Sequence, residues 1–381
     1  MNNYFEPNKI KIGILGGGQL GKMLIQAGTK YNLYFACLDP DVNAVCVDLA
    51  NDFVCGSLTD FDTVYNFGKD KDIITIELEN VNVEALKKLK QEGKKVFPQS
   101  EVIETIQDKG LQKQFYQNNN IPTSPFLLIN NKQEILNSGF TFPCFQKLRK
   151  GGYDGKGVVK IYSINDLSQA FEQPSLLEQM VDFEKELSVI VARNESGEIK
   201  CFPPVECEFN AEANLVEFLF SPATINDKVA KEVERIAIQI AEKLNIVGLL
   251  AVEYFLTKDG QVLVNESAPR PHNSGHQTIE GNTVSQFEQH LRAILNLPLG
   301  DTSTVNPSVM INLLGEKNYS GDAKYQGFAE ALKYKGVYLH LYGKKTTKPF
   351  RKMGHITVVN ESLSEAKSTA LELKDLVTVI A

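Results

Sequence analysis

The chain has 381 residues, 43% hydrophobic and 23% charged, with a formal net charge of −7 and a pI near 5.5. That length exceeds one compact core and predicts two or three domains, while the acidic balance argues against a nucleic-acid-binding face. No run of roughly 18 apolar residues occurs, so no membrane span is expected.

Residues 1–9, MNNYFEPNK, contain no apolar stretch of the kind a secretory signal requires. The next segment, KIGILGGGQLGKMLIQAGTKYNLYFACLDP, reads as strand, glycine turn, helix, strand. Ile10, Ile12 and Ile14 alternate, and Leu20, Met23, Leu24 and Ala27 then recur at helical spacing. DIITIEL (72–78) is a buried-strand candidate followed by the helical VEALKKLKQEG. Strands alternating with helices predict a parallel sheet covered on both faces. This first domain is expected to close near FPQS, ahead of a long amphipathic segment at 101–120. From about 140 to 300, short strands, glycine loops and one clear helix (227–245) predict an α+β domain. Strands, a helix and an apolar tail follow NLPLGD. The six cysteines form no CxxC pair and no Cys/His zinc spacing, which reads as small thiols in a reducing compartment.

Gly16-x-Gly18-x-x-Gly21 follows a strand and opens a helix, and Asp39 ends the next strand, which is the dinucleotide fingerprint in its context. Its physical content is narrower: glycines let backbone N–H groups and a helix N-terminus approach an anion. A second glycine-rich stretch, RKGGYDGKGVVK (149–160), lies between strand-like runs. It reads either as a loop closing over a polyphosphate, with Lys147, Lys150 and Lys156 offsetting its charge, or as an ordinary hairpin with solvated lysines.

LLAVEYFLTKDGQVLVNESAPR (249–270) has two apolar runs flanking Asp259-Gly260, a strong two-residue hairpin signal. In that register Lys258 faces Gln261, and Glu253 faces Glu266. Directly opposed residues in an antiparallel pair have Cβ atoms roughly 4.5–5.5 Å apart, and like charges there repel. A divalent cation relieves the repulsion, and hard oxygen ligands suit magnesium; the other readings are a protonated carboxylate or a shifted register. PRPHNSGHQT (269–278) follows, placing Arg270, His272, Asn273 and His276 on a loop beside the carboxylates; isolated histidines are usually structural, but their density here favours anion or proton handling. EQMVDFEKE (178–186) can present backbone groups to an adenine edge and Glu186 to a ribose, or be solvated charge. YGKKTTKPFRKMGH (342–355) reads as a surface basic run or a phosphate clamp.

The order of these motifs resembles the ATP-grasp superfamily, and within it the 5-(carboxyamino)imidazole ribonucleotide synthase family, over residues 10–360. The resemblance implies an ATP-grasp fold with an N-terminal Rossmann-like (pre-ATP-grasp) domain and a small C-terminal domain, α/β and α+β in class. The expected divisions are 1–104, 105–300 with a lid at about 125–182, and 301–381. It implies an ATP-dependent ligase that carboxylates 5-aminoimidazole ribonucleotide with bicarbonate through carboxyphosphate, in purine biosynthesis. Lys109 and Lys147 are then expected on the ATP phosphates, Gly152, Tyr153, Asp154, Gly155, Lys156, Gly157 and Val158 in a lid loop, Glu178, Gln179, Met180 and Val181 along the adenine, and Glu186 on the ribose. Glu253 and Glu266, beside Asn265, are expected to hold magnesium. The second substrate's phosphate is expected between Gln19 and Leu20 and the pair Lys344 and Arg351. Tyr153, Asp154, Lys156, Arg270, His272 and Asn273 are expected around the reacting groups.

Two positions depart from the family pattern: Lys109 stands where arginine is frequent, and Phe209 where a histidine usually lies near the nucleotide. Small-molecule substrates, a cytoplasmic homodimer, and no nucleic acid, membrane or biotin complete the implied picture; no Met-Lys-Met motif occurs. The nearest alternative is a formate-dependent glycinamide ribonucleotide transformylase. A nicotinamide dehydrogenase rests on the first glycine motif alone, and a non-catalytic scaffold leaves the opposed glutamates unexplained.

Overall fold

The computed structural model describes residues 5–152, 157–210 and 215–381. Tyr153, Asp154, Gly155 and Lys156, named above as lid and reaction residues, therefore lie outside the described residues.

The first segment alternates β1 (Lys11–Leu15), α1 (Gln19–Thr29), β2 (Tyr34–Asp39), β3 (Asp52–Cys55), α2 (Phe61–Gly68), β4 (Ile73–Ile76), α3 (Val83–Gln91) and β5 (Lys95–Val96). Its strands pair in parallel in the order β3-β2-β1-β4-β5. Strand alternation sorts the side chains between two faces. Ile12, Ile14, Phe35 and Cys37 pack on Leu20, Met23 and Leu24 of α1, whereas Leu15, Ala36 and Leu38 pack with α2 and α3 residues. The amphipathic run at 101–120 is two helices, α4 (Ser100–Gln107) and α5 (Lys109–Asn118). They part at Asp108, whose carboxylate accepts from the N–H groups of Gly110 (2.9 Å) and Leu111 (3.2 Å), capping α5.

A four-stranded antiparallel sheet follows, built from β6 (Phe126–Ile129), β7 (Cys144–Leu148), β8 (Val158–Ile161) and β9 (Ser175–Gln179), with α6 (Gln133–Asn137) between the first two. β7 and β8 flank the glycine-rich stretch expected to act as a lid. The chain then enters a larger sheet through β10 (Phe183–Arg193), β11 (Ile199–Cys201), β12 (Val205–Asn210) and β13 (Leu215–Ser221). α7 (Asp227–Leu244) lays Val233, Ile236, Ala237 and Ile240 on that sheet. β14 (Gly248–Thr257) and β15 (Val262–Ala268) form its outer hairpin, followed by the short α8 (Thr278–Gly281) and by α9 (Gln286–Ile294).

The last segment comprises β16 (Ser308–Leu314), β17 (Gly321–Asp322), β18 (Lys324–Gln326), α10 (Phe328–Ala331), β19 (Val337–Leu341), β20 (Thr346–Thr347), β21 (Lys352–Val359), α11 (Leu363–Leu376) and β22 (Thr378–Ile380). Among the described residues, the larger sheet runs β15-β14-β10-β12-β13-β16-β21-β19, with β11 also on β10. The C-terminal strands thus continue the middle segment's sheet, and Phe218 and Phe220 of β13 share a core with Ile356, Val358 and Leu373. The first sheet docks through α9: Phe287, Leu291 and Ile294 join the α1 face.

Candidate active site

Glu253 of β14 and Glu266 of β15 are directly paired, and the route to that pairing differs from the expected one. Thr257, rather than Lys258, closes the turn, its N–H bonding Gln261 O at 2.9 Å, with Gly260 at φ +82°. The turn therefore has three residues, and its third adopts the left-handed backbone that glycine takes without strain. That closure shifts the pairing by one residue through Tyr254↔Val264, and a bulge at Asn265 then restores Glu253↔Glu266. The expected two-residue turn is corrected; the opposition of the two carboxylates stands because two one-residue offsets cancel.

The close carboxylates are held by unequal surroundings. Lys109 Nζ lies 2.6 Å from Glu266 Oε2 and keeps that carboxyl well below its ordinary range. Burial, and then the charge of Glu266, push Glu253 upward. Asn265 Oδ1 is buried without a hydrogen-bond partner, so it and the two carboxylates offer the hard oxygen set that suits magnesium. Among the described residues no three His, Cys, Asp or Glu side chains form a metal cluster. The set thus fits an ion that takes its other ligands from water or phosphate.

Opposite this pair, Lys147 of β7 lies 2.5 Å from Glu178 Oε2 of β9. Lys109, Lys147, Glu178, Asn265 and Glu266 line one narrow cleft with Lys113, a residue not singled out from the sequence. Gln179 ends β9, Met180 and Val181 bridge to β10, and Glu186 sits in β10 beside Phe255 of β14. Burial raises the Glu186 carboxyl to about 7. Val158 opens β8, and the Leu148 N–H bonds the O of the preceding Gly157 at 2.8 Å, so Gly157 and Val158 lie where the glycine-rich stretch rejoins the sheet. Arg149 grips Asp108 through two bonds of 2.8 and 2.9 Å, tying that stretch to the start of α5 and hence to Lys109. Phe209 packs against the apolar cluster of Val205, Cys207 and Leu219.

The loop after β15 separates its residues by role. Arg270 pairs with Glu79 at 2.9 Å. His272 Nε2 lies 3.8 Å from Glu253, and burial followed by the charge of Arg270 lowers its imidazole to about 3. Asn273 exchanges two 2.9 Å amide bonds with Asn312. His276 does not join the carboxylates as expected: it is buried, bonded to Gln286 at 3.1 Å, with its ring 4.8 Å from that of His355.

The first glycine motif also resolves differently. The N–H of Gly17 donates to Asp39 (2.7 Å), and those of Gly18 and Gly21 donate to Glu77 Oε2 (2.6 and 3.0 Å). The anion that the glycines admit is the chain's own Glu77, since a Cβ on Gly18 would lie 2.2 Å from its Oε1. Burial raises this carboxyl to about 7. With Asp39 and Glu77 on these amides, the dinucleotide reading loses its donors. Glu77, absent from the expected site, comes from β4's end, and no local pattern marks it. Gln19 and Leu20 begin α1 immediately beside it. Lys344 and Arg351 line, with Gly17 and Gly18, a cavity of about 400 Å³.

Comparison with known proteins places the chain in a family. Residues 9–107 match the ribonucleotide synthetase preATP-grasp domain, 114–287 the ATP-grasp domain, and 308–369 the phosphoribosylaminoimidazole carboxylase C-terminal domain. The N5-carboxyaminoimidazole ribonucleotide synthase of Bacillus subtilis is 37% identical, covering 93% of this chain and 92% of its own. The crystal structure of the Thermotoga maritima N5-carboxyaminoimidazole ribonucleotide synthetase superposes with a TM-score of 0.90 at 44% identity, over 98% of this chain and 99% of its own. An Aspergillus clavatus enzyme solved with ADP and 5-aminoimidazole ribonucleotide gives 0.88 at 31% identity, over 97% and 100%. The chain spans 66% of the length of a plant relative named phosphoribosylaminoimidazole carboxylase, from Vigna aconitifolia. This chain belongs to the N5-carboxyaminoimidazole ribonucleotide synthase family of ATP-grasp enzymes.

Proposed function

We propose that the chain carboxylates 5-aminoimidazole ribonucleotide with ATP and bicarbonate, working in the cytoplasm as a homodimer. One observation carries the reading: the opposed Glu253 and Glu266, with the partnerless Asn265 oxygen, lie between two lysines and the Arg270–His272 loop. Magnesium held there would offset phosphate charge. Lys109 and Lys147, which line the same cleft, would exchange their carboxylate partners for the ATP phosphates, while Glu178, Gln179, Met180 and Val181 would border the adenine and Glu186 would take the ribose hydroxyls.

A bicarbonate oxygen bonds to the γ-phosphorus as the bond to ADP breaks, giving carboxyphosphate. The substrate amine then bonds to the carboxyl carbon, phosphate leaves, and the amine gives up one proton. Arg270, His272 and Asn273, with Tyr153, Asp154 and Lys156 of the lid loop, would surround these groups and fix their orientation, which lowers the barrier by pre-organisation. The substrate phosphate would lie between the start of α1, at Gln19 and Leu20, and Lys344 with Arg351. Lid closure would exclude water from a hydrolysable intermediate.

ADP release, measured with and without 5-aminoimidazole ribonucleotide and bicarbonate, tests the reading. Turnover is expected to need both; turnover indifferent to the ribonucleotide, or supported by formate in place of bicarbonate, overturns it.

A further inference from the structure

Both lysines assigned to the phosphates are engaged with carboxylates in this structure, Lys109 with Glu266 and Lys147 with Glu178. The second engagement poses a physical problem. Glu178 is 2% exposed, and removing one partner from a buried ion pair leaves an uncompensated charge at high energetic cost. If Lys147 turns to ATP, something must keep Glu178 charged and in place.

Lys113 on α5 is placed for that task. It is 3% exposed, and its three N–H groups are all engaged, with Thr123 Oγ1 at 2.6 Å, Ser124 Oγ at 3.2 Å and Glu178 Oε1. Both hydroxyls are themselves anchored: Thr123 donates to Val264 O on β15 at 2.6 Å, and Ser124 donates to Glu178 Oε1. The two carboxylate oxygens are thus served by different groups. Oε1 receives Lys113 and Ser124, which belong to the fixed wall. Oε2 meets Lys147 at 2.5 Å. Lys113 has three oxygen partners in the fixed wall and its side chain is 4% exposed against 17% for Lys147, which makes Lys147 the partner that can turn outward.

We propose that Lys113 is a positioning residue for ATP capture: it keeps Glu178 charged and seated, so that Lys147 is released to the nucleotide's phosphates. This rests on the ATP reading above. Without Lys113, Lys147 becomes the sole cation on a buried carboxylate and is held there, and the fraction of enzyme able to bind ATP falls.

The test compares Lys113→Met with Lys113→Arg, measuring KM for ATP, kcat and Mg-ADP affinity on the full chain. Lys113→Met should raise the ATP KM about tenfold or more while kcat changes far less, because a smaller competent fraction scales apparent affinity directly. Lys113→Arg keeps a cation against Glu178 Oε1 and should recover most of that loss. An unchanged ATP KM in Lys113→Met, or a Lys113→Arg variant as impaired as Lys113→Met, overturns the proposal. If Lys113→Met fails to fold, Lys113→Gln, which keeps hydrogen-bonding groups without the charge, takes its place with the same expected and overturning results. Failure of the ATP reading is distinct, since wild-type enzyme would then bind no Mg-ADP.

Discussion

Glu266 is held by Lys109 and Glu253 is not, so the two carboxyls of one pair shift in opposite directions, Glu266 down and Glu253 up. Replacing Glu266 with Gln removes one charge from the proposed magnesium set and the partner of Lys109 together. Turnover should fall below detection while far-UV circular dichroism and the unfolding transition remain; retained turnover would refute Glu266 as a metal ligand. Glu77 supplies a pH prediction. Burial raises its folded pKa to about 7, above the ordinary value of about 4.3. A carboxyl with a raised pKa contributes stability that is complete below the unfolded pKa and is lost as pH rises through the folded one. The Glu77→Gln variant lacks this titration. Its melting temperature relative to wild type should therefore climb as pH rises from about 4.5 to 7 and level off above; a pH-independent difference would show that Glu77 does not titrate there.

At the scale of elements, the β14–β15 hairpin and the β1–α1 turn show how local signals reach their limit. The Asp259–Gly260 signal located the turn, but its length and the Asn265 bulge are settled by packing on β10 and α7 rather than by turn chemistry. Because Thr257 pairs with Gln261 across the turn, deleting Lys258 leaves a two-residue Asp-Gly connection in the same register. Turnover of that deletion variant should match wild type, and a large loss would mean that the turn governs the glutamate pairing. In the β1–α1 turn, the strand, glycines and helix were all legible, whereas Glu77, 59 residues from Gly18, was not. A Gly18→Ala substitution sets a methyl 2.2 Å from Glu77 Oε1 and should destabilise by ~1–3 kcal/mol, the usual cost of overpacking, measured by denaturant unfolding. No loss would mean that Glu77 swings clear.

Across the whole molecule, the final segment is stitched into the rest. β16 pairs with β13, and α11 residues Ala366, Ala370 and Leu373 cover Phe218 and Phe220. A chain ending at residue 300 would expose those aromatics and open the edge of β13, so it should show no cooperative thermal transition, whereas the full chain should. A truncated chain that melts cooperatively and binds Mg-ATP would overturn this. The alternation of strands and helices that opens the chain was readable because its periodicity acts locally. The sheet that joins β13 to β16 was not, because an apolar strand reads alike wherever its neighbours lie in the chain.

The sequence by itself determined the parallel α/β start, the glycine loops, the acidic hairpin and the basic run, because turn chemistry and side-chain alternation act within a few residues. Only the tertiary structure decided which groups those motifs meet. Glu77 lies beneath the first glycine loop, Lys113 sits behind Glu178, Asn312 is paired with Asn273, and a bulge returns Glu253 to Glu266. Burial and charge neutralisation operate through space between residues far apart in the chain, and no local pattern names the partner.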